Sequence, residues 1–141
     1  MKSKLILSLF FNGLLFSSCT YPKENILITS NNVSRCYFES EVVDFCSRNK
    51  IEIYNQHIKD LPNFSNDKIL LILNHNRSTG KGESRVVKLI VILDPLEKKV
   101  IPVPQMVGNF VDGNLREIND DPAIIKYNKK DNKFCLSGTT Y

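Results

Sequence analysis

Tryptophan is absent, and histidine occurs only twice, as His57 and His75, in unrelated segments. With no HExxH and no histidines at ligand spacing, the usual zinc patterns are missing. There is no G-x-S-x-G turn for a nucleophilic serine and no CxxC for redox exchange, so the sequence motifs of those two enzyme classes are excluded. Internal repeats and long low-complexity tracts are also lacking. The longest mostly apolar stretch, Leu5–Phe16, falls short of the about 20 residues needed to span a bilayer.

Two stretches imitate ligand sites and fail on spacing. In "NRSTGKGES" (76–84), Gly80-Lys81 has the look of a phosphate-binding loop, but His75 stands where the first glycine is required and Gly82 where Ser or Thr is required. A β-rich run follows instead of a helix, so nucleotide binding is set aside. This stretch reads as a long, polar, solvated connection between two strands. Its cations Arg77, Lys81 and Arg85 are placed to contact a partner, because binding residues concentrate on loops. In "DGNLREINDD" (112–121), Asp112, Glu117, Asp120 and Asp121 lack the alternating ligands and terminal bidentate Glu of an EF-hand. Asp112-Gly113 and Asp121-Pro122 are turn dipeptides. A solvated acidic loop is expected, without metal or cofactor. The opposite charges of the two loops also allow them to pair with one another.

What the sequence does contain begins at its start. Lys2 and Lys4 precede the apolar core, and Ser17 and Ser18 lead into Cys19, an arrangement of basic, apolar and small-residue regions that matches a cleavable secretory signal. Phe16-Ser17-Ser18-Cys19 resembles the lipobox of the bacterial lipoproteins, with Phe16 in place of the usual Leu. The resemblance covers residues 1–20 only. It implies cleavage after Ser18, acylation of Cys19 and a short tether over 19–24. Because each buried methylene contributes about 0.8 kcal/mol, several acyl chains on one residue hold a protein firmly to a membrane. Thr20 rather than Asp after the cysteine implies, by the same resemblance, the outer membrane facing the periplasm.

Of nineteen basic and fifteen acidic residues, the signal removes two lysines and no acid. The remaining chain is nearly neutral, which argues against a nucleic-acid partner, since such binders need a concentrated basic face. Residues 25–141 are of a length to form one domain with its own core. They read mostly as short strands at 25–30, 36–43, 50–55, 68–74, 85–93, 99–104, 123–128 and 133–138, rich in Ile, Val, Phe and Tyr. "RVVKLIVIL" (85–93) is apolar on both faces after Lys88 and is the expected central strand. Asp94-Pro95 predicts a hairpin into 99–104, where Pro102 and Pro104 require an edge. A second hairpin is expected to turn over Lys129–Asn132. "EVVDFCSRN" (41–49), capped by Ser40, is the candidate helix. The expected fold is mainly β, a small antiparallel sandwich or meander with that one helix, and an α+β arrangement is the alternative.

Besides Cys19 the chain has Cys36, Cys46 and Cys135. An oxidising compartment permits one bond among three thiols, and Cys36 with Cys46 is preferred as the local pair. Cys135 is expected to be a buried structural thiol. Together these features predict a lipid-anchored envelope protein acting as a protein-binding module, of the immunity or inhibitor kind. A cell-wall hydrolase with carboxylates assembled in space and a structural accessory subunit of an envelope complex are the alternatives.

Overall fold

Three long apolar runs form the centre of the molecule in a computed structural model, which describes residues 27–38, 43–78, 82–118 and 121–141. Strands β1 (Ile69–Ser78), β2 (Ser84–Asp94) and β3 (Lys99–Gly108) are antiparallel neighbours, and β6 (Thr139–Thr140) adds to β3, so the sheet order is β1-β2-β3-β6. The expected central strand is indeed β2. Strands β4 (Ile124–Lys126) and β5 (Cys135–Ser137) form a separate two-stranded antiparallel sheet. One helix, α1 (Arg48–His57), completes a mainly β fold.

The helix lies later than the sequence suggests. Residues 50–55, expected as a strand, are inside α1, and the candidate helix at 41–49 overlaps it only at its end. Ile51 and Ile53 alternate as a strand would, but Ile51, Tyr54 and Ile58 also repeat at helical spacing. Burial decides between the two periods: Tyr54 and Ile58 are fully enclosed, while Ile51 and Ile53 are only partly so. Tyr54 donates its hydroxyl to the Phe45 carbonyl at 3.1 Å, and burial pushes its pKa up, with the nearby Asp44 charge adding to the effect. Residues 36–38 and 43 belong to no strand, and residues 27–30 run into a 3-10 turn at Ser30–Asn32. Asn55 ties that N-terminal stretch to the helix, accepting from the Ile28 amide at 2.7 Å and donating to the Ile28 carbonyl at 2.8 Å.

Because side chains alternate along a strand, the sheet has two different faces. On one, Leu71, Val87, Leu89, Val91, Leu93 and Val100 pack with Tyr54, Ile58, Phe45 and Met106 into the larger core. On the other, Phe64, Leu70 and Ile90 form a small core covered by Ile125, Tyr127, Phe134 and Leu136 of the β4–β5 hairpin and its loop. Full burial of an aliphatic side chain contributes about 1.5–3 kcal/mol, so the helix side supplies most of the apolar stabilisation.

Pro104 falls in a bulge, outside the regular ladder. Leu89 pairs with Met106 and Val91 with Pro102, so β3 carries two extra residues in a bulge around Val103, Pro104 and Gln105. Among the described residues, β3 is met on its second side by a bridge from Val33 to Val100, by β6 at Val107 and Gly108, and by Tyr141 at Met106. Asp94, 5% exposed, closes the β2–β3 turn by accepting from the Leu96 and Glu97 amides, both at 3.1 Å. Lys68 reaches the same carboxylate at 2.7 Å. Desolvation works to raise the Asp94 pKa, but the Lys68 bond and the two turn amides outweigh it and hold the carboxyl below its ordinary value. The hydrogen bond to Asp94 correspondingly raises Lys68, against the opposing pull of desolvation.

Gly138 makes the passage from β5 to β6 possible. Its φ of +145° lies outside the range that side-chain-bearing residues favour, and a Cβ there would sit 2.4 Å from the Gly108 carbonyl oxygen.

Candidate functional site: an arginine-lined cleft

The segment expected as a long loop at 76–84 is strand at both ends, over 76–78 and at Ser84. β1 runs to Ser78 and β2 starts at Ser84, with Arg77 directly opposite Arg85 across the ladder. The apolar run ends at Leu73, and alternation continues beyond it with polar residues: Asn74 and Asn76 are exposed, while His75 and Arg77 are half-buried. The hairpin therefore extends past the core with its backbone ladder intact, and Arg77 and Arg85 emerge from a rigid element on one face.

A second loop closes over this end of the sheet. The Asp112 carboxylate accepts from the Asn114 and Arg116 amides at 2.9 and 2.8 Å, and the Asp112 amide donates to the Arg116 carbonyl at 2.8 Å. Those amide bonds, led by that from Arg116, hold the exposed Asp112 carboxyl below its usual range against desolvation, with the charges of Arg116 and Arg85 contributing less. This carboxylate of the acidic stretch thus shapes a turn. Leu115 sits at the turn's apex with φ +62°, a left-handed conformation costly for a side chain of its size. Its carbonyl accepts a hydrogen bond from the Arg85 guanidinium. The end of the hairpin and the 112–121 segment do meet, then, but through the Arg85 guanidinium and a backbone carbonyl.

Tyr141 completes the site. Its amide donates to the Met106 carbonyl at 3.0 Å and its carbonyl accepts from the Met106 amide at 3.2 Å, extending the pairing begun by β6. The ring lies against Gly108, where an added Cβ would come within 3.1 Å of it. Arg77 lies over this ring, 4.3 Å from its centroid, a cation–π contact. Arg77, Glu83, Arg85, Leu115, Arg116 and Tyr141, with their neighbours, line an open cleft of about 270 Å³.

Arg77 and Arg85 are brought together here, whereas Lys81 lies outside the described residues, as do Cys19, the signal, the tether, Ser40 and Asp120. Cys36 and Cys46 are joined in a disulfide with Cα atoms 5.0 Å apart, closing the loop ahead of α1. Cys135 is free and exposed rather than buried. It lies on the outward face of β5, and its cross-strand neighbour is Lys126. Sequence reasoning passed over Arg116 and Tyr141. The Asp112-Gly113 turn was a signal for the first; nothing local marks the second, whose position depends on pairing with Met106.

Among the described residues no helix is long and apolar enough to cross a membrane, and no three His, Cys, Asp or Glu side chains cluster as metal ligands. Compared with known proteins, the chain matches no family model, no curated sequence and no solved structure.

Proposed function

We propose that this chain is a lipid-anchored lipoprotein of the cell envelope, held by Cys19 to the outer membrane, whose domain binds another protein as an immunity or inhibitor module. The observation that carries the binding part is the cleft at the end of the β1–β2 hairpin. Two strands and a turn, each fixed by backbone hydrogen bonds, present Arg77, Arg85 and Arg116 around one opening. Arginine is enriched at protein interfaces, where its planar fork pairs with carboxylates. The anchoring part rests on Phe16-Ser17-Ser18-Cys19 after the short apolar core. The hydrolase reading has less support, because Asp94 and Asp112 are both shifted downward and both engaged in turns. An acid catalyst needs the opposite shift.

A crosslinked pull-down of the full-length chain from its native envelope, read by mass spectrometry, tests the binding part. One stoichiometric protein partner is expected. Recovery of nothing beyond lipid and peptidoglycan fragments would remove the module reading. Cys19→Ala is expected to leave unprocessed precursor without acyl label, and normal labelling of that variant would refute the anchor.

A further inference from the structure

The two rims of the main sheet are finished differently. On the β3 side a bridge from Val33 occupies Val100, Pro102 and Pro104 lack amide donors, and β6 with Tyr141 covers residues 106–108. On the β1 side, among the described residues, Phe64 and the Asn63 side chain pair with the rim and reach no further than Lys68 and Leu70.

Those contacts fix the direction in which β1 presents its backbone. Lys68 and Leu70 turn their amides and carbonyls away from β2. This direction alternates along an antiparallel ladder, and the β1–β2 register is unbroken from Ile69 to Ser78. Ile72, Asn74 and Asn76 therefore aim the same groups outward, where no strand lies among the described residues. Their side chains are exposed as well. Residues 71–76 include no Pro, Lys, Arg, Asp or Glu and no bulge, the devices that usually blunt a sheet edge.

This open stretch complements itself. Antiparallel pairing about a two-fold axis at Asn74 sets Asn74 against its own copy and Ile72 against Asn76. Every outward amide of one copy then meets an outward carbonyl of the other. Leu73 falls opposite His75, so no like charges face each other. The Asn74 side chains, each both donor and acceptor, can bond across the axis. An axis nearer the start of β1 would need the backbone groups of Leu70, and Asn63 already holds both. An axis nearer the hairpin tip would bring His75 opposite its own copy or opposite Arg77, which pairs basic side chains.

We infer that β1 pairs with β1 of a second copy of this chain, antiparallel across residues 72–76, joining two four-stranded sheets into one. A stretch without fixed charge has nothing with which to select a charged partner, whereas its own copy satisfies it in full. One short added strand covers less than about 1,200 Å², the lower end of specific interfaces, so a reversible dimer in the micromolar range is expected. The contact uses neither the arginine-lined cleft nor Cys19, and its test stands apart from the partner and anchor readings.

The test uses the full-length chain in detergent micelles, with Cys135→Ser to remove the free thiol. Sedimentation equilibrium at detergent-matched density should show monomer and dimer in exchange. Asn74→Lys, which sets two cations against each other at the axis, should weaken the dimer by about tenfold or more. Asn74→Cys reads the register itself. Residues facing each other as a hydrogen-bonded pair have Cα atoms about 5.5 Å apart, within the disulfide range of about 4.4–6.8 Å. Mild oxidation should therefore join the Asn74→Cys chains into covalent dimers. Asn76→Cys places its two copies about 13 Å apart along the strands, and Val86→Cys, at a site 54% exposed on β2, lies off the rim. Both should yield at least about fivefold less dimer. The Cys135→Ser chain alone sets the background, including anything Cys19 adds, and backbone amide dispersion checks that each variant is folded.

A chain that stays monomeric at the highest attainable concentration would overturn the inference. So would a folded Asn74→Lys variant that associates as tightly as its parent, or equal oxidation yields at positions 74, 76 and 86. Oxidation in the native envelope that joins the position 74 thiol to a different protein would overturn it in favour of a strand supplied by a partner.

Discussion

Leu89 and Ile90 are consecutive residues of β2, both shut off from solvent, yet they belong to different cores. Leu89 faces α1 and the disulfide-closed segment before it, amid a continuous set of aliphatic side chains. Ile90 faces the β4–β5 hairpin, where Phe64 and Leu70 are the other fully covered members and the aromatic rings of Tyr127 and Phe134 are only partly enclosed. The helix side is held chiefly by buried area. On the hairpin side polar links do much of the holding: the Ser65 amide donates to the Asp131 carbonyl at 3.1 Å, the Asn66 amide to Lys129 at 2.6 Å, and Lys88 Nζ to Ala123 at 2.6 Å. Proteins open in units of unequal stability, and this division makes the β4–β5 hairpin the unit expected to open first.

The largest effect should come from Leu89→Ala, which leaves a cavity walled by strands and helix and should cost about 3–5 kcal/mol in urea unfolding. Ile90→Ala should cost nearer about 2 kcal/mol, because the hairpin can settle into the space, and it should speed amide exchange in β4 and β5 before the rest of the sheet. The reverse ranking would break the comparison. Next comes the disulfide. Replacing Cys36 and Cys46 by Ser should cost about 2–3 kcal/mol through the unfolded state, and the faster exchange should appear around Phe45 and α1 while leaving the hairpin unchanged.

Asp94 lies where the β2–β3 turn meets Lys68, at the entry to β1, and its effect is a pH dependence. Its folded pKa is below its ordinary value, so its contribution is complete above the unfolded carboxylate pKa of about 3.9 and is lost as pH falls through the folded value. Lys68 acts at the other limit: its contribution is complete below an unfolded pKa of about 10.4 and is lost as pH rises through the raised folded value. Asp94→Asn, measured by thermal unfolding from pH 2 to 7, should lower stability at neutrality by about 1.5 kcal/mol and flatten the acid limb. An acid limb as steep as that of wild type would assign it to other carboxylates. The smallest effect belongs to Arg48 and Glu52, paired at 3.1 Å on the solvent side of α1. Exposed pairs at this spacing contribute about 0.3–0.5 kcal/mol, so a double-mutant cycle there calibrates what a contact touching neither core is worth.

The central hairpin could be read in advance because two signals agree there: apolar runs long enough for buried strands and a turn initiated by Asp94-Pro95. The helix could not. Over 50–55 the apolar residues satisfy periods of 2 and 3.6 alike, and the choice depends on Tyr54 and Ile58 finding a sheet to pack against, which is tertiary information. At the site, Arg77 and Arg85 stand out by their charge, but Arg77 falls in a stretch that reads as loop, since β1 continues beyond its apolar run with Asn74, His75 and Asn76, residues that favour turns in isolation. What keeps them extended is the ladder to Lys88, Val87 and Val86 on β2. Arg116 joins the cleft on a local turn that Asp112-Gly113 signals, whereas Tyr141 joins through pairing with Met106, distant in sequence, which no local pattern encodes.

Asn63 bears on how the domain behaves in crowded surroundings. Its side-chain amide accepts from the Leu70 amide at 2.7 Å and donates to the Leu70 carbonyl at 3.2 Å, thereby making the two bonds that a neighbouring strand would make at that point. Leu70 lies in the most apolar part of the one long strand at the rim of the sheet, where another chain could most readily add itself. By filling that place with its own amide, Asn63 turns the stickiest stretch of β1 away from self-association, and any intermolecular pairing along this rim is left to the polar residues further on.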